Sequence, residues 1–112
     1  MNVLVSLKNL NEHSVDEVLV EDVRDCKNFT YIDNEGCLIE MSVHDDGIDI
    51  IRHGKGYVLE VLGHTEKTVR ITSNEGVMEL PLKDVDFICS NDILAMHYFL
   101  EKEERTVEIR YI

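Results

Sequence analysis

Histidine and cysteine are the residues of this chain with the most chemical potential, because they bind metals and act as acids, bases or nucleophiles. The histidines are His13, His44, His53, His64 and His97. No two of them stand at a spacing such as HxH or HExxH, which would direct both onto one metal ion. The middle three lie at or beside expected turn tips. We therefore interpret the histidines as solvated loop residues and expect no metal site and no cofactor.

The cysteines and the short glycine motif offer no enzyme chemistry either. Cys26, Cys37 and Cys89 are odd in number and isolated, which argues against a disulfide framework or a zinc knuckle. No GxSxG elbow places a nucleophile beside a base, and "GKG" at 54–56 is too short for a phosphate loop. We expect buried, reduced thiols in a cytoplasmic protein that is not an enzyme.

Composition and charge limit the partners of the chain. Its 112 residues fit a single domain, residues 1–112, and its 11 Lys and Arg against 23 Asp and Glu leave a net charge of −12. Because an acidic surface repels a phosphate backbone, we expect that the protein does not bind nucleic acid. The first residues contain neither a basic segment nor a long apolar run, which predicts no signal peptide and no membrane partner.

Four short polar segments that end in glycine punctuate the chain: "DNEG" at 33–36, "HDDG" at 44–47, "HGKG" at 53–56 and "SNEG" at 73–76. Asn or Asp next to Gly tolerates the positive φ of tight hairpin turns. Their spacing predicts an up-and-down antiparallel sheet of about eight to eleven short strands with little helix. The only proline, Pro81, predicts a bend between two strand segments.

The C-terminal segment "NDILAMHYFLEKEERTVEIRYI" tests this prediction, because its first half fits two structures. Apolar residues in 93–100 fall at helical and at strand spacing alike. In the second half Val107, Ile109 and Tyr111 alternate strictly with polar residues, as in a half-buried strand. A strand needs a partner, and "EKEE" has about the length of a hairpin connection. We therefore predict that 93–100 pairs with 105–111.

A sheet with one apolar face must close or fold over on itself to bury that face. The apolar residues of several predicted strands share one parity, including Val69 with Ile71 and Met96 with Tyr98. The outcome is either a closed barrel or a two-sheet sandwich. A barrel of about eight or more strands has room for packed side chains or for one small ligand.

Two C-terminal segments, "TSNEGVMELPLKDVDF" and "MHYFLEKEERTVEIRY", carry a family resemblance. They resemble the uncharacterised YwiB-like bacterial family of calycin-type β-barrels, in which a strand of pattern G-x-(L/M)-E-L precedes a hairpin ending R-(I/V)-x-I-x-Y. The matching positions are Gly76, Met78, Glu79, Leu80, Arg105, Val107, Ile109 and Tyr111. The resemblance covers most of the chain and implies a calycin-like barrel in the bacterial cytoplasm, with no established activity.

An apolar barrel lumen makes ligand binding our first functional prediction. Residues of the inward parity would surround a small apolar or amphipathic molecule in the lumen. If the molecule carried a carboxylate, a cation and a hydroxyl would be needed to bind it. Arg52 is the only cation we place near a mouth of the lumen. The predicted ligand-binding residues are Arg52, Tyr57, Leu59, Val69, Met78, Met96 and Tyr98.

The second prediction is a protein-interaction or accessory module. Ile93, Ala95 and Phe99 are apolar on the parity that should face outward. Either an N-terminal segment or a second subunit would cover them, which suggests a homodimer. The acidic surface would alternatively suit a basic protein partner. An open lumen favours the ligand, and a filled one favours the partner.

Overall fold

The computed structural model describes all 112 residues, and its regular structure consists of antiparallel strands with no helix. This confirms the all-β prediction. The ten strands are β1 (Val3–Asn9), β2 (Ser14–Val20), β3 (Asn28–Ile32), β4 (Leu38–Val43), β5 (Ile48–His53), β6 (Tyr57–Leu62), β7 (Thr68–Ser73), β8 (Gly76–Cys89), β9 (Ile93–Leu100) and β10 (Glu103–Tyr111).

The strands form a single sheet that curls into a nearly closed barrel. From β3 to β10 each strand pairs with the next, β10 then pairs with β1, and β1 pairs with β2. Strands β2 and β3 are the two edges, and no backbone ladder joins them. One side-chain contact links the two sides of this gap, where Asn34 Nδ2 donates to the carbonyl oxygen of Glu17 over 3.1 Å. Closure buries the apolar face that an open sheet would expose.

The predicted turns fall where the glycine-ended segments stand. "DNEG" connects β3 to β4, "HDDG" β4 to β5, "HGKG" β5 to β6 and "SNEG" β7 to β8. The C-terminal hairpin is also confirmed, because β9 pairs with β10 in a register that sets Met96 opposite Val107. Its turn is tighter than expected. Glu101 adopts a positive φ of 56°, and β10 already begins at Glu103.

The predicted bend near Pro81 is the place where the barrel turns a corner. Residues 76–81 of β8 pair with β7, whereas residues 82–89 pair with β9 on the other edge. The two segments belong to one 14-residue strand, with an irregularity between Lys83 and Asp86 and a positive φ of 52° at Asp84. Proline cannot donate to a ladder, so it fits the point where the strand changes partners.

Side chains of the inward parity from both sides of the barrel pack into one core. On β9, Leu94, Met96 and Tyr98 are buried while the residues between them are half-exposed. The residues with less than 2% of their surface exposed are Val3, Val5, Ile39, Met41, Ile48, Leu94, Met96, Val107 and Ile109. They fill the middle of the barrel, so the space left for a site lies at an end.

Candidate functional site

A cavity of about 460 Å³ opens at one end of the barrel. This end carries the β1–β2, β3–β4, β5–β6 and β9–β10 turns. The β1–β2 and β9–β10 turns are tied together, because Asn11 Oδ1 accepts from the backbone N–H of Glu104 at 2.7 Å and Asn11 Nδ2 donates to Lys102 at 3.3 Å. The volume lies within the usual range of small-molecule pockets, about 300–1,000 Å³.

Half of the residues that line the cavity are hydrophobic and half are polar, including Asp16 and Asp33. The aliphatic part of the wall comes from both sides of the barrel. Strands β1 and β10 contribute from one side, and β4, β5 and β6 contribute from the other. The aliphatic side chains of the inward parity are Leu7, Ile39, Ile50, Leu59, Val61 and Val107. Such a wall favours apolar contents, because burying apolar surface is worth about 25 cal/mol per Å².

Arg52, at the end of β5, is the first of two arginines that line the cavity. Its Nη2 donates to Glu35 Oε2 over 2.6 Å. Its Nε is buried and has no hydrogen-bond acceptor, although Asp33 Oδ2 lies 3.1 Å away, since that approach does not have hydrogen-bond geometry. Asp33 is held by the β3–β4 turn, where its Oδ1 accepts from the backbone N–H groups of Glu35 and Cys37.

Arg105, near the start of β10, is the second arginine. It lies directly opposite Tyr98 of β9 in the ladder. Its Nη2 donates to Glu103 Oε2 over 2.5 Å, and Asn9 Nδ2 donates to the same oxygen over 3.2 Å. The Arg105 Nε is buried without an acceptor, like that of Arg52. Each buried N–H left unpaired costs about 1–3 kcal/mol, so two of them at one cavity need an explanation.

The ionisable groups around the cavity keep distinct charge states. The hydrogen bond from Arg105 holds the pKa of Glu103 below its ordinary value of 4.5. Burial raises the pKa of Tyr98, and the Arg105 guanidinium only partly offsets this. Burial, followed by the carboxylates of Asp33 and Asp16, also raises the pKa of Tyr31. At neutral pH the site therefore combines cationic arginines, anionic carboxylates and neutral phenols.

Three of the seven predicted ligand-binding residues line this cavity, namely Arg52, Leu59 and Tyr98. Val69 and Met96 have the predicted inward parity but lie in the solid core, with 4% and 0% of their surface exposed. The side chain of Met96 reaches β5 and the β6–β7 turn, where the Met96 sulfur occupies the space that a Cβ on Gly63 would need.

Tyr57 and Met78 lie outside the cavity for different reasons. The Tyr57 ring packs over Gly54 in the β5–β6 turn. A Cβ atom added at Gly54 would collide with this ring. Met78 has the inward parity, opposite Ile71, but is 53% exposed. Residues 76–81 of β8 pair with β7 on one side and with no strand on the other. This part of the β7–β8 hairpin therefore projects beyond the packed core.

Thirteen of the sixteen residues that line the cavity were not predicted from the sequence, and Arg105 is one of them. The signal was present, because Arg105 continues the inward series of Val107 and Ile109 by one further step of two. A charged residue at an inward position near a strand end can reach the mouth of a barrel. The prediction placed Arg105 at the first position of a strand and gave it no role in the lumen, whereas the strand begins two residues earlier, at Glu103.

The other candidate residues lie away from the cavity. His44 and His64 stack with ring centroids 3.9 Å apart at the opposite end of the barrel, and His64 hydrogen-bonds Asp46. No group of three or more His, Cys, Asp and Glu side chains is arranged to hold a metal ion. The chain also forms no helix with the length and apolarity needed to cross a bilayer.

The outward residues of β9 are half-exposed rather than covered by an N-terminal segment, since β1 extends the sheet beyond β10. Phe99 packs edge-on against His97 at 5.4 Å between ring centroids. The cross-strand neighbours of Ile93, Ala95 and Phe99 on β10 are Arg110, Glu108 and Glu104. Charged side chains therefore flank this apolar row on one side.

Fold and site together define a small antiparallel β-barrel with an arginine-lined cavity at one end. No family model matches the chain, and no curated protein does. Among solved structures, it is similar to the crystal structure of ywiB protein from Bacillus subtilis, at 14% identity and a TM-score of 0.32, over 97% of this chain and 87% of that chain. This likeness is too weak to show the family, and membership of the YwiB-like family stays a prediction.

Proposed function

We propose that the protein binds a small apolar or amphipathic molecule in the cavity at the end of the barrel. The observation that carries this proposal is a cavity of about 460 Å³ with both aliphatic and polar side chains in its lining, which the chain's own side chains do not fill. The core beside it is packed, so the cavity is local rather than a sign of loose packing throughout. We also propose that the protein is located in the bacterial cytoplasm. The three cysteines of the chain are free, which is consistent with this location.

The test compares two leucine-to-tryptophan variants on β1. Leu7 lines the cavity, whereas Leu4 lies on the outer face of the same strand and does not. Leu7→Trp should fill part of the cavity and weaken binding of a neutral hydrophobic probe, N-phenyl-1-naphthylamine. Leu4→Trp adds the same side chain outside and should leave binding unchanged.

Two measurements decide the result. Wild-type protein should show saturable, one-to-one fluorescence enhancement of the probe, and the probe at 100 times its Kd should stabilise the fold by about 2.7 kcal/mol. The Leu7→Trp variant should lose both effects. Absence of saturable binding to wild type, or equal losses in both variants, would refute the proposal.

The second candidate is a protein-interaction module, and one observation favours it. Ile93, Ala95 and Phe99 remain half-exposed on the outside of a chain that carries a net charge of −12. A basic partner or a second copy of the chain would cover them. Size-exclusion chromatography with light scattering should show a dimer that Phe99→Glu dissociates if a second copy does so.

A further inference from the structure

The projecting half of β8, residues 76–81, has a free backbone edge. These residues pair with β7 on one side, whereas β9 pairs with β8 only from Leu82 onward. No other strand of the sheet pairs with them. A free edge presents backbone donors and acceptors that a further strand can use. The edge is therefore open to a strand from outside the chain.

The ladder with β7 determines which backbone groups face the free side. Successive residues of an antiparallel strand direct these groups alternately to the two sides. The Leu82 N–H donates to the carbonyl oxygen of Lys67, in the turn that leads into β7, over 2.9 Å. The even-numbered residues before it therefore also bond towards β7. Val77 and Glu79 present a donor and an acceptor to the free side, and Pro81 presents only its carbonyl.

These free groups are complementary to a second copy of the same edge. Two copies related by a two-fold axis would pair as antiparallel strands, with every contact made twice. If Val77 lies opposite Glu79 of the other copy, each such pair exchanges two N–H···O bonds, which gives four in the dimer. Met78 then faces its own copy at the axis, in the closely spaced position between the two bonded pairs.

The side chains of this edge suit that register. Val77 and Met78 are 61% and 53% exposed, so pairing would remove apolar surface from water. Glu79 would lie opposite Val77 rather than opposite its own copy. Its charge is already paired within the chain, because Arg70 Nε donates to Glu79 Oε1 over 3.0 Å. Like charges therefore do not meet directly across the new ladder.

The charges near the edge are also complementary between two copies. In the same register Glu75, at the tip of one hairpin, lies opposite Pro81 of the other copy, beside the β9–β10 turn that carries Lys102. Glu75 and Lys102 are exposed, and the ion pairs of the chain involve neither of them. The net charge of −12 repels a second copy at longer range, but salt at about 0.15 M screens it beyond about 8 Å.

We propose that the protein forms a two-fold dimer by antiparallel pairing of the free β8 edges, with Val77 of each copy opposite Glu79 of the other. The other two edges of the sheet, β2 and β3, face each other across the gap of the barrel, where Asn34 bonds to β2. The dimer does not depend on the proposed ligand, because Val77, Met78 and Glu79 do not line the cavity.

Sedimentation velocity measures the dimer on the full chain in salt at about 0.15 M. The interface is small, so we expect a weak dimer that forms reversibly between about 1 µM and about 1 mM protein. Amide exchange measured by NMR should slow at Val77 and Glu79 as the dimer forms, because their N–H groups become bonded. The amides of the β2 edge should exchange equally at all concentrations.

Met78→Glu tests the contact at the axis. It places two carboxylates against each other and should weaken the dimer at least about tenfold. Leu19→Glu is the matched control, because Leu19 is 51% exposed on the edge strand β2 and the charge change is the same. It should dimerise like wild type. Phe99→Glu, on the apolar row of β9, should also leave this dimer unchanged.

A second pair of variants tests the backbone bonds and serves if Met78→Glu does not fold. Glu79→Pro removes the N–H that faces the free side, whereas Glu79→Ala removes the same carboxylate and keeps the N–H. The ladder with β7 does not use this N–H, so both variants should fold, as circular dichroism checks. The proline variant should dimerise at least about tenfold more weakly than the alanine variant, because each dimer loses two N–H···O bonds.

Three results would overturn the proposal. The first is a wild-type protein that stays monomeric at about 1 mM. The second is a dimer that Phe99→Glu or Leu19→Glu dissociates while Met78→Glu does not, since the contact would then lie on another face. The third is equal dimer affinity of the Glu79→Pro and Glu79→Ala variants, which would mean that the β8 edge does not pair through its backbone.

Discussion

The backbone N–H of Ile48 in β5 donates a hydrogen bond to the sulfur of Met96 in β9 over 3.3 Å. These strands lie on opposite walls, so the bond crosses the middle of the barrel. Both residues are fully buried. The thioether is a weak acceptor, but a buried N–H without any acceptor costs more than a weak bond gains. Met96 therefore contributes both volume and an acceptor to the core.

Met96→Leu should destabilise the protein by more than its small change in volume predicts. The substitution leaves the Ile48 N–H buried and unpaired, so we expect a loss of about 1–3 kcal/mol. Urea unfolding followed by circular dichroism measures it. Leu94→Met is the control, since Leu94 is equally buried on the same strand and its swap should cost less than about 1.5 kcal/mol. Equal costs for the two variants would mean that the sulfur has no role as acceptor.

Strand β2 should exchange its amide hydrogens faster than the central strands. It is an edge strand, five of its seven residues are exposed, and no backbone ladder joins it to β3 across the gap, where Asn34 supplies a side-chain hydrogen bond. Edges open locally at lower free energy than paired, buried strands. Hydrogen exchange with mass spectrometry should show β2 labelled well before β9 and β10, and Asn34→Ala should accelerate β2 without affecting β9. Uniform protection across the sheet would indicate that the barrel closes fully in solution.

The fold was predictable to a large extent because its signals are local. Glycine after Asn or Asp marks hairpin turns, and the alternation in "TVEIRY" indicates a strand whatever surrounds it. Together these features predicted the all-β class, the meander and the C-terminal hairpin. The β1–β2 turn carries no glycine, only a positive φ of 55° at His13, so no glycine in the sequence marks the start of β2 at Ser14.

The site was less predictable because parity gives the face of a residue but not its depth. Met96 and Tyr98 are both inward neighbours on β9, yet one lies in solid core and the other beside the cavity. Which of them meets empty space depends on the side chains of the opposite wall. Those side chains are about fifty positions away in sequence from Met96 and Tyr98. No local sequence pattern indicates how far apart the two walls are in space.

Alkaline pH should unfold the protein through its buried tyrosines. Burial is the main cause that raises the pKa values of Tyr31 and Tyr98, and it raises the pKa of Tyr111 to about 12. A raised folded-state pKa adds stability that is fully present below the unfolded value of 10 and is lost as the pH rises beyond it. The free energy of unfolding should therefore fall between pH 10 and pH 12.

Urea titrations across this range test the prediction, and tyrosinate absorbance reports the ionisation directly. Tyr98→Phe removes one of the three groups, so its stability should decline less steeply with pH than that of wild type. A flat wild-type profile up to pH 12 would contradict the prediction.

The last prediction uses two isoleucines on one strand to measure whether the cavity is empty. Ile48 and Ile50 are successive inward residues of β5, with 0% and 5% of their surface exposed, but only Ile50 lines the cavity. Truncating a fully packed isoleucine to alanine costs about 2–5 kcal/mol, because it removes transfer energy and leaves a void. Ile48→Ala should fall in the upper half of that range.

Ile50 already faces open space on one side, so its outer atoms have fewer packing partners to lose. Ile50→Ala should therefore cost at least about 1 kcal/mol less than Ile48→Ala in urea unfolding of the ligand-free protein. A saturating ligand should narrow this difference, because it supplies the contacts that Ile50 lacks and so raises the cost of Ile50→Ala. If both variants cost the same without ligand, the space beside Ile50 is filled in solution, and the cavity is not available to bind anything.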